Sequence, residues 1–129
     1  MLTISLPTQW IFEINNAQVL NLGPFVDGST LSSPSPTYLN DLAVTASIYL
    51  NRNLSNPAAT PGTLVTSFGT AGILTLNYIA ASQGLYSGAI ANTFNPTPYL
   101  SYALVIDASD GAGYIGHWEF PCSAVVRNS

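Results

Sequence analysis

Apolar and polar residues alternate along this chain in short runs, each cut off by glycine, proline or asparagine. The clearest run covers residues 42–50. Leu42, Val44, Ala46, Ile48 and Leu50 share one side of a two-residue repeat; Ala43, Thr45, Ser47 and Tyr49 share the other. Successive side chains of a strand point to opposite faces, so this spacing predicts a strand with one face in a core. Residues 10–14 predict another strand. The Asn15-Asn16 pair then predicts a turn, and residues 18–22 are expected to return as its hairpin partner. Residues 23–37, ending in Ser33-Pro34-Ser35-Pro36 and one more residue, have loop composition.

Past residue 50 the pattern repeats. A proline-bearing loop over 51–62 precedes a short strand over 63–68, broken at 69–72. The strand over 73–79 puts Leu74, Leu76 and Tyr78 on one side, and Ser82-Gln83-Gly84 turns the chain into 85–90. The prolines of 92–98 forbid a central strand there. Residues 100–108 form the next strand, with Tyr102, Leu104 and Ile106 in phase. Asp110-Gly111 predicts a hairpin, because both residues tolerate the positive φ of tight turns. The last strand sets Tyr114, Gly116, Trp118, Phe120 and Cys122 against Ile115, His117 and Glu119, and continues through Val125-Val126 towards Arg127.

No segment carries a helical period, and no repeat of 20–50 residues is visible. The expectation is therefore an all-β antiparallel sandwich or barrel of seven to nine short strands, and neither a propeller nor a solenoid. At 129 residues the chain fits one domain, 1–129, read as an N-terminal hairpin and loop (1–37) and a core sandwich (38–127).

Composition changes this picture mainly at the surface. Charged residues are 6% of the chain, against roughly 25% in ordinary soluble domains, and there is no lysine. Hydrophobic content is 47%, so the core is ordinary and the surface unusual. Charge is depleted at the buried centres of interfaces, which points to a surface covered in an assembly; a neutral polar surface is the plainer reading. Two basic residues and a net charge of −4 argue against nucleic acid and against anionic membranes. No apolar run is long enough for a transmembrane helix, and the N-terminus does not have the pattern of a signal peptide. A single cysteine excludes an intrachain disulfide scaffold and a multi-cysteine zinc site.

Candidate chemistry is sparse. His117, the only histidine, has Glu119 two residues away on the same strand face. The pair reads as a carboxylate–histidine dyad or as two polar residues on a solvated face. Cys122 shares its face with Trp118 and Phe120 and reads as a buried, inert thiol. Asp107, Asp110 and Gly111 make an acidic loop too poor in oxygen ligands for calcium. The expectation is no catalytic residue, no cofactor and no metal. Tyr86, Tyr99, Tyr102, Tyr114, Trp118 and Phe120 are read as core and edge residues, with a sugar-stacking face as the alternative.

One resemblance adds to this. The run Asn40-Asp41-Leu42-Ala43-Val44-Thr45-Ala46, the Gly84-Leu85-Tyr86-Ser87-Gly88 turn, Tyr102 to Asp107, Asp110-Gly111 and Gly116-His117-Trp118-Glu119 together resemble small immunoglobulin-like proteins encoded in tailed-phage and prophage structural gene clusters. The likeness spans residues 38–127, with fewer charges here than the pattern usually carries. It implies an immunoglobulin-like antiparallel β-sandwich and a virion-associated, non-catalytic module made in a bacterial cytoplasm. Such a module would act through protein–protein contacts or self-association as a homo-oligomer. The alternative is a glycan-binding or adhesin-type sandwich domain.

Overall fold

A computed structural model of the chain describes residues 2–3, 10–27, 37–111 and 115–126. They contain ten strands: β1 (Leu2–Thr3), β2 (Trp10–Ile14), β3 (Gln18–Leu22), β4 (Val26–Asp27), β5 (Ala43–Leu50), β6 (Thr63–Leu64), β7 (Leu74–Tyr78), β8 (Tyr86–Ile90), β9 (Tyr102–Ser109) and β10 (Ile115–Val126). β1 and β4 pair with each other. The other eight form one hydrogen-bonded path, β2-β10-β9-β5-β7-β8-β3, with β6 attached to β5.

That path folds over on itself. β2 and β3 lie at its opposite ends, yet Phe12 of β2 and Leu20 and Leu22 of β3 are buried in the same core. The fold-over falls between β5 and β7, whose pairing covers only Val44–Ala46 against Leu74–Leu76. β3, β8 and β7 thus face β5, β9 and β10 across one apolar layer. This is the arrangement of an immunoglobulin-like sandwich, strands B, E and D against C, F and G in that fold's lettering. The core has an aliphatic middle and an aromatic cluster towards each end. Phe12, Phe68 and Phe94 meet edge to face with centroids 5.4–6.1 Å apart. Phe25 meets Tyr86 at 5.2 Å and Trp118 at 5.8 Å, and Tyr78 meets Tyr86 at 5.7 Å. Such contacts contribute about 0.5–1.5 kcal/mol each beyond the area they bury.

Two further details belong to this fold. Tyr102 opens β9, and its hydroxyl donates to the Thr97 carbonyl, 2.8 Å away and five residues upstream. That is the tyrosine corner of such sandwiches. Two residues on, where antibody domains place a disulfide cysteine, stands the fully buried Leu104. The Trp118 ring folds back over Gly116, so a Cβ there would have to displace the far edge of that ring.

The N-terminal hairpin is corrected. β2 and β3 do not pair: β2 runs parallel to β10, from Trp10 beside Cys122 to Ile14 beside Val126, and β3 pairs with β8. A hairpin would keep both strands in one sheet, whereas Phe12 and Leu20 enter the core from opposite sheets. The Gln18 side chain supplies what the missing hairpin would have. Its amide accepts from the Glu13 N–H at 3.1 Å and donates to the Glu13 carbonyl at 2.6 Å. The parallel pair also departs from the expected all-antiparallel ladder, and the strands of 10–22 belong to the sandwich rather than to a separate N-terminal piece.

The strand expected over 63–68 shortens to Thr63–Leu64, because Phe68 turns into the core and Gly69 takes a φ of 77°. The Asp110-Gly111 hairpin pairs β9 with β10, closing at Ser109 and Ile115. Tyr114 and Arg127 lie outside the described residues. β10 runs through Pro121, which lies before β2 joins the sheet at Cys122. Proline lacks an N–H to donate, and at Pro121 one side of β10 is still an edge.

Candidate functional site

The strand register brings Asp107, His117 and Glu119 together on the outer face of β9 and β10, and Arg52 joins them from the loop after β5. Thr45, Asp107 and His117 form one cross-strand row, and Ser47, Val105 and Glu119 form the next. His117 Nδ1 lies 2.5 Å from Asp107 Oδ1, and its Nε2 lies 2.8 Å from Glu119 Oε2. Arg52, just beyond β5, reaches back over the sheet. Its Nε and Nη2 donate to the two Glu119 oxygens at 2.6 and 3.1 Å, and its Nη1 donates to the Pro61 carbonyl at 3.1 Å. The guanidinium also lies 4.9 Å from the centre of the Tyr49 ring. Bidentate, charge-assisted geometry of this kind is the stronger form of ion pair.

Because β9 separates β5 from β10, an Arg52 side chain that grips Glu119 crosses the row holding Ser47 and Val105. On the same outer face Ser47, Ala103 and Val105 are buried although they point away from the core. The inner half of the network is shielded, with Arg52 14% and Glu119 15% exposed; the outer half is open, with His117 49% and Asp107 57% exposed.

Each ionisation state follows from its neighbours. The Asp107 and Glu119 carboxylates raise the His117 pKa above its ordinary value. The Arg52 hydrogen bonds, with His117 second, hold the Glu119 carboxyl below the usual range, and Glu119 in turn raises Arg52. His117 therefore has both ring nitrogens committed to carboxylates. A general base offers one ring nitrogen to the proton it takes, and here both face carboxylates. The two carboxylates also sit on opposite sides of the imidazole and do not converge on a common ion. Among the described residues no group of three or more metal-ligating side chains is arranged to hold a metal.

Of the other sequence candidates, Asp110 follows β9 in the turn where the Gly111 N–H donates to Ser109 Oγ at 3.1 Å. Cys122 lies on the opposite, inner face beside Phe12, Phe94 and Tyr102, and burial pushes its thiol up to about 12. No cysteine–histidine dyad forms, since the two side chains are on different sides of β10. The His117–Glu119 pair was legible from alternation alone. Asp107 joins it through the register and Arg52 from a loop more than sixty residues away, and no local pattern signals either.

The remaining surface features are apolar. Ile11, Val19, Ile73, Ile79, Leu85, Tyr99, Leu100 and Val126 are exposed singly or in small groups. Among the described residues no helix is long and apolar enough to cross a membrane.

Fold and site together define an immunoglobulin-like β-sandwich whose polar cluster is an ion-pair network. No protein-family model matches the chain, and no curated protein does. Among solved structures it is similar to the periplasmic chaperone SfaE, with a TM-score of 0.47 and 8% identity, over 99% of this chain. The chain spans 58% of that chaperone's length.

Proposed function

We propose that this domain is a non-catalytic structural module that acts through protein–protein contacts, in the virion or virion-assembly setting that its sequence pattern resembles. One observation carries the reading. The aromatic side chains are spent inside: Phe12, Phe25, Phe68, Phe94, Tyr86 and Tyr102 are buried, and Trp118 and Phe120 pack against the same core. The exposed apolar residues are instead spread over edges and ends, with little charge around them. A sugar-binding face would present an aromatic platform beside hydrogen-bonding groups. Among the residues whose side-chain burial is described, Tyr99 is the one widely exposed aromatic, and one ring is not a platform. The closed His117 network supports the non-catalytic half of the proposal.

The experiment is to purify particles from cells that make this chain and to measure its copy number by quantitative mass spectrometry. A fixed stoichiometry across density-gradient fractions is the expected result. Absence from particles and from any other protein complex of the same cells would refute the proposal.

A further inference from the structure

The two ends of the hydrogen-bonded path are finished differently. At one end β2 pairs with β10, and its other edge is closed at Glu13, whose N–H and carbonyl are both taken by the Gln18 side-chain amide. At the other end β3 pairs with β8 over all five of its residues, in unbroken register. Among the described residues no backbone hydrogen bond reaches the opposite edge of β3. A constant-type immunoglobulin sandwich has strand A in that position, beside strand B. Here the first strand of the sandwich, β2, lies beside β10, so the edge of β3 that strand A would take is left open.

This edge carries none of the usual guards. Natural edges are blunted by charge, proline, a bulge or a covering segment. β3 reads Gln-Val-Leu-Asn-Leu, with Leu20 and Leu22 buried on the core side. Val19 is 60% exposed on the outer face, and Asn21 is exposed on the same face. β8 and β7, the rest of this sheet, contain no charged residue either.

These features select the occupant. An open edge takes an extended strand, and a second β3 is self-complementary to the first. Two copies of one strand pair antiparallel about a two-fold axis, so each donor meets an acceptor of its twin. The pleat limits the register, because inward residues must lie opposite inward ones. Centring the pair on Leu20 satisfies this and uses the whole strand: Leu20 lies opposite its twin, and Gln18 and Val19 lie opposite the twin's Leu22 and Asn21. Two chains of net charge −4 repel in most approaches, whereas a sheet without charge lets them meet.

We propose that two copies of this chain join β3 to β3, antiparallel, so that the β7-β8-β3 sheets of the pair become one continuous sheet. This rests on the protein-contact reading above and names the contact. The pair is isologous and closes at two through this edge. Five residues a side make a small interface against the roughly 1,600 Å2 of a standard one, so the dimer forms at high concentration.

The test is light scattering on the purified full chain from micromolar to millimolar concentration, with amide hydrogen exchange at both extremes. The wild type is expected to pass from monomer to dimer. In the dimer alternate amides of β3, those directed away from β8, should gain protection, which side-chain packing alone would not produce. The double variant Val19→Lys/Asn21→Lys guards the edge at two exposed positions, and is expected to keep the native circular dichroism and stay monomeric. Ile73→Lys, exposed just before β7 and away from this edge, is expected to dimerise as the wild type does. A wild type still monomeric at millimolar concentration, new protection outside β3, dimerisation undisturbed by the double variant, or its equal loss in Ile73→Lys would overturn the proposal. If the purified chain is monomeric while particles still carry it at fixed stoichiometry, the β3 pairing falls and the contact reading stands.

Discussion

Tyr86→Phe is the sharpest test of what holds the sandwich to the loop before β5. The Tyr86 hydroxyl donates to the Leu39 carbonyl at 2.8 Å and accepts from the Leu42 N–H at 3.0 Å. Tyr86 is fully buried, and Leu39 and Leu42 are core residues, so water does not replace either bond. Burial raises the phenol pKa, which keeps it protonated and able to donate. Phenylalanine keeps the ring contacts to Phe25 and Tyr78 and removes only the oxygen. Two net hydrogen bonds at about 0.5–1.5 kcal/mol each, together with two orphaned buried backbone groups, put the loss at roughly 2–4 kcal/mol. Tyr102→Phe is the internal control. It removes one hydroxyl donation, to the carbonyl of the exposed Thr97, for about 0.5–1.5 kcal/mol. Urea unfolding at constant m gives both values. If Tyr86→Phe loses no more than Tyr102→Phe, the two Tyr86 bonds do not tie the loop to the core as argued.

The other predictions are briefer. Arg52→Met should cost roughly 1–3 kcal/mol, between the values for exposed and buried pairs, and a double-mutant cycle with Glu119→Gln should show coupling. Because the Glu119 pKa is lowered on folding, its contribution is present above the ordinary carboxylate pKa and is lost as pH falls through the folded value. The raised His117 pKa acts the other way: its contribution is full below the ordinary imidazole pKa and lost as pH rises through the folded one. With half of that side chain in water the effect stays under about 1 kcal/mol. An NMR titration should find the His117 pKa above 6.5 and show it falling in Asp107→Asn. Cys122 should resist alkylation in the native state and react on denaturation, a contrast read by mass spectrometry. Gly116→Ala should displace the Trp118 ring, with a change in tryptophan emission and a loss of roughly 1–3 kcal/mol.

What the sequence made legible was local. Alternation alone put Val44, Ala46, Ile48, Leu74, Leu76, Leu104 and Ile106 in the core, and all are buried. It could not show which strands are neighbours. The Asn15-Asn16 turn has the composition of a hairpin, yet the strands on either side join different sheets, because partner choice depends on where β8 and β10 offer free edges. The network was legible to the same degree. His117 and Glu119 share a face by spacing, whereas the contact with Arg52 spans 67 positions and depends on how the loop after β5 folds over the sheet.

The low charge of this chain takes on a sharper form once its charges are located. Arg52, Asp107 and Glu119 are three of only eight formal charges, and they meet the single histidine on one sheet face, where they satisfy one another. The inner Arg52–Glu119 pair is shielded and bidentate, and with the Arg52 bond to the Pro61 carbonyl it ties the loop after β5 to β10. The consequence lies on the rest of the surface. With Arg52 folded over the sheet and no lysine in the chain, no strand edge among the described residues presents a lysine or arginine side chain. Long basic side chains on strand edges are a common device against unwanted association, and this sequence does without it. A surface whose one described arginine is folded over a sheet face, and whose strand edges and loops carry exposed apolar residues, is suited to being covered there.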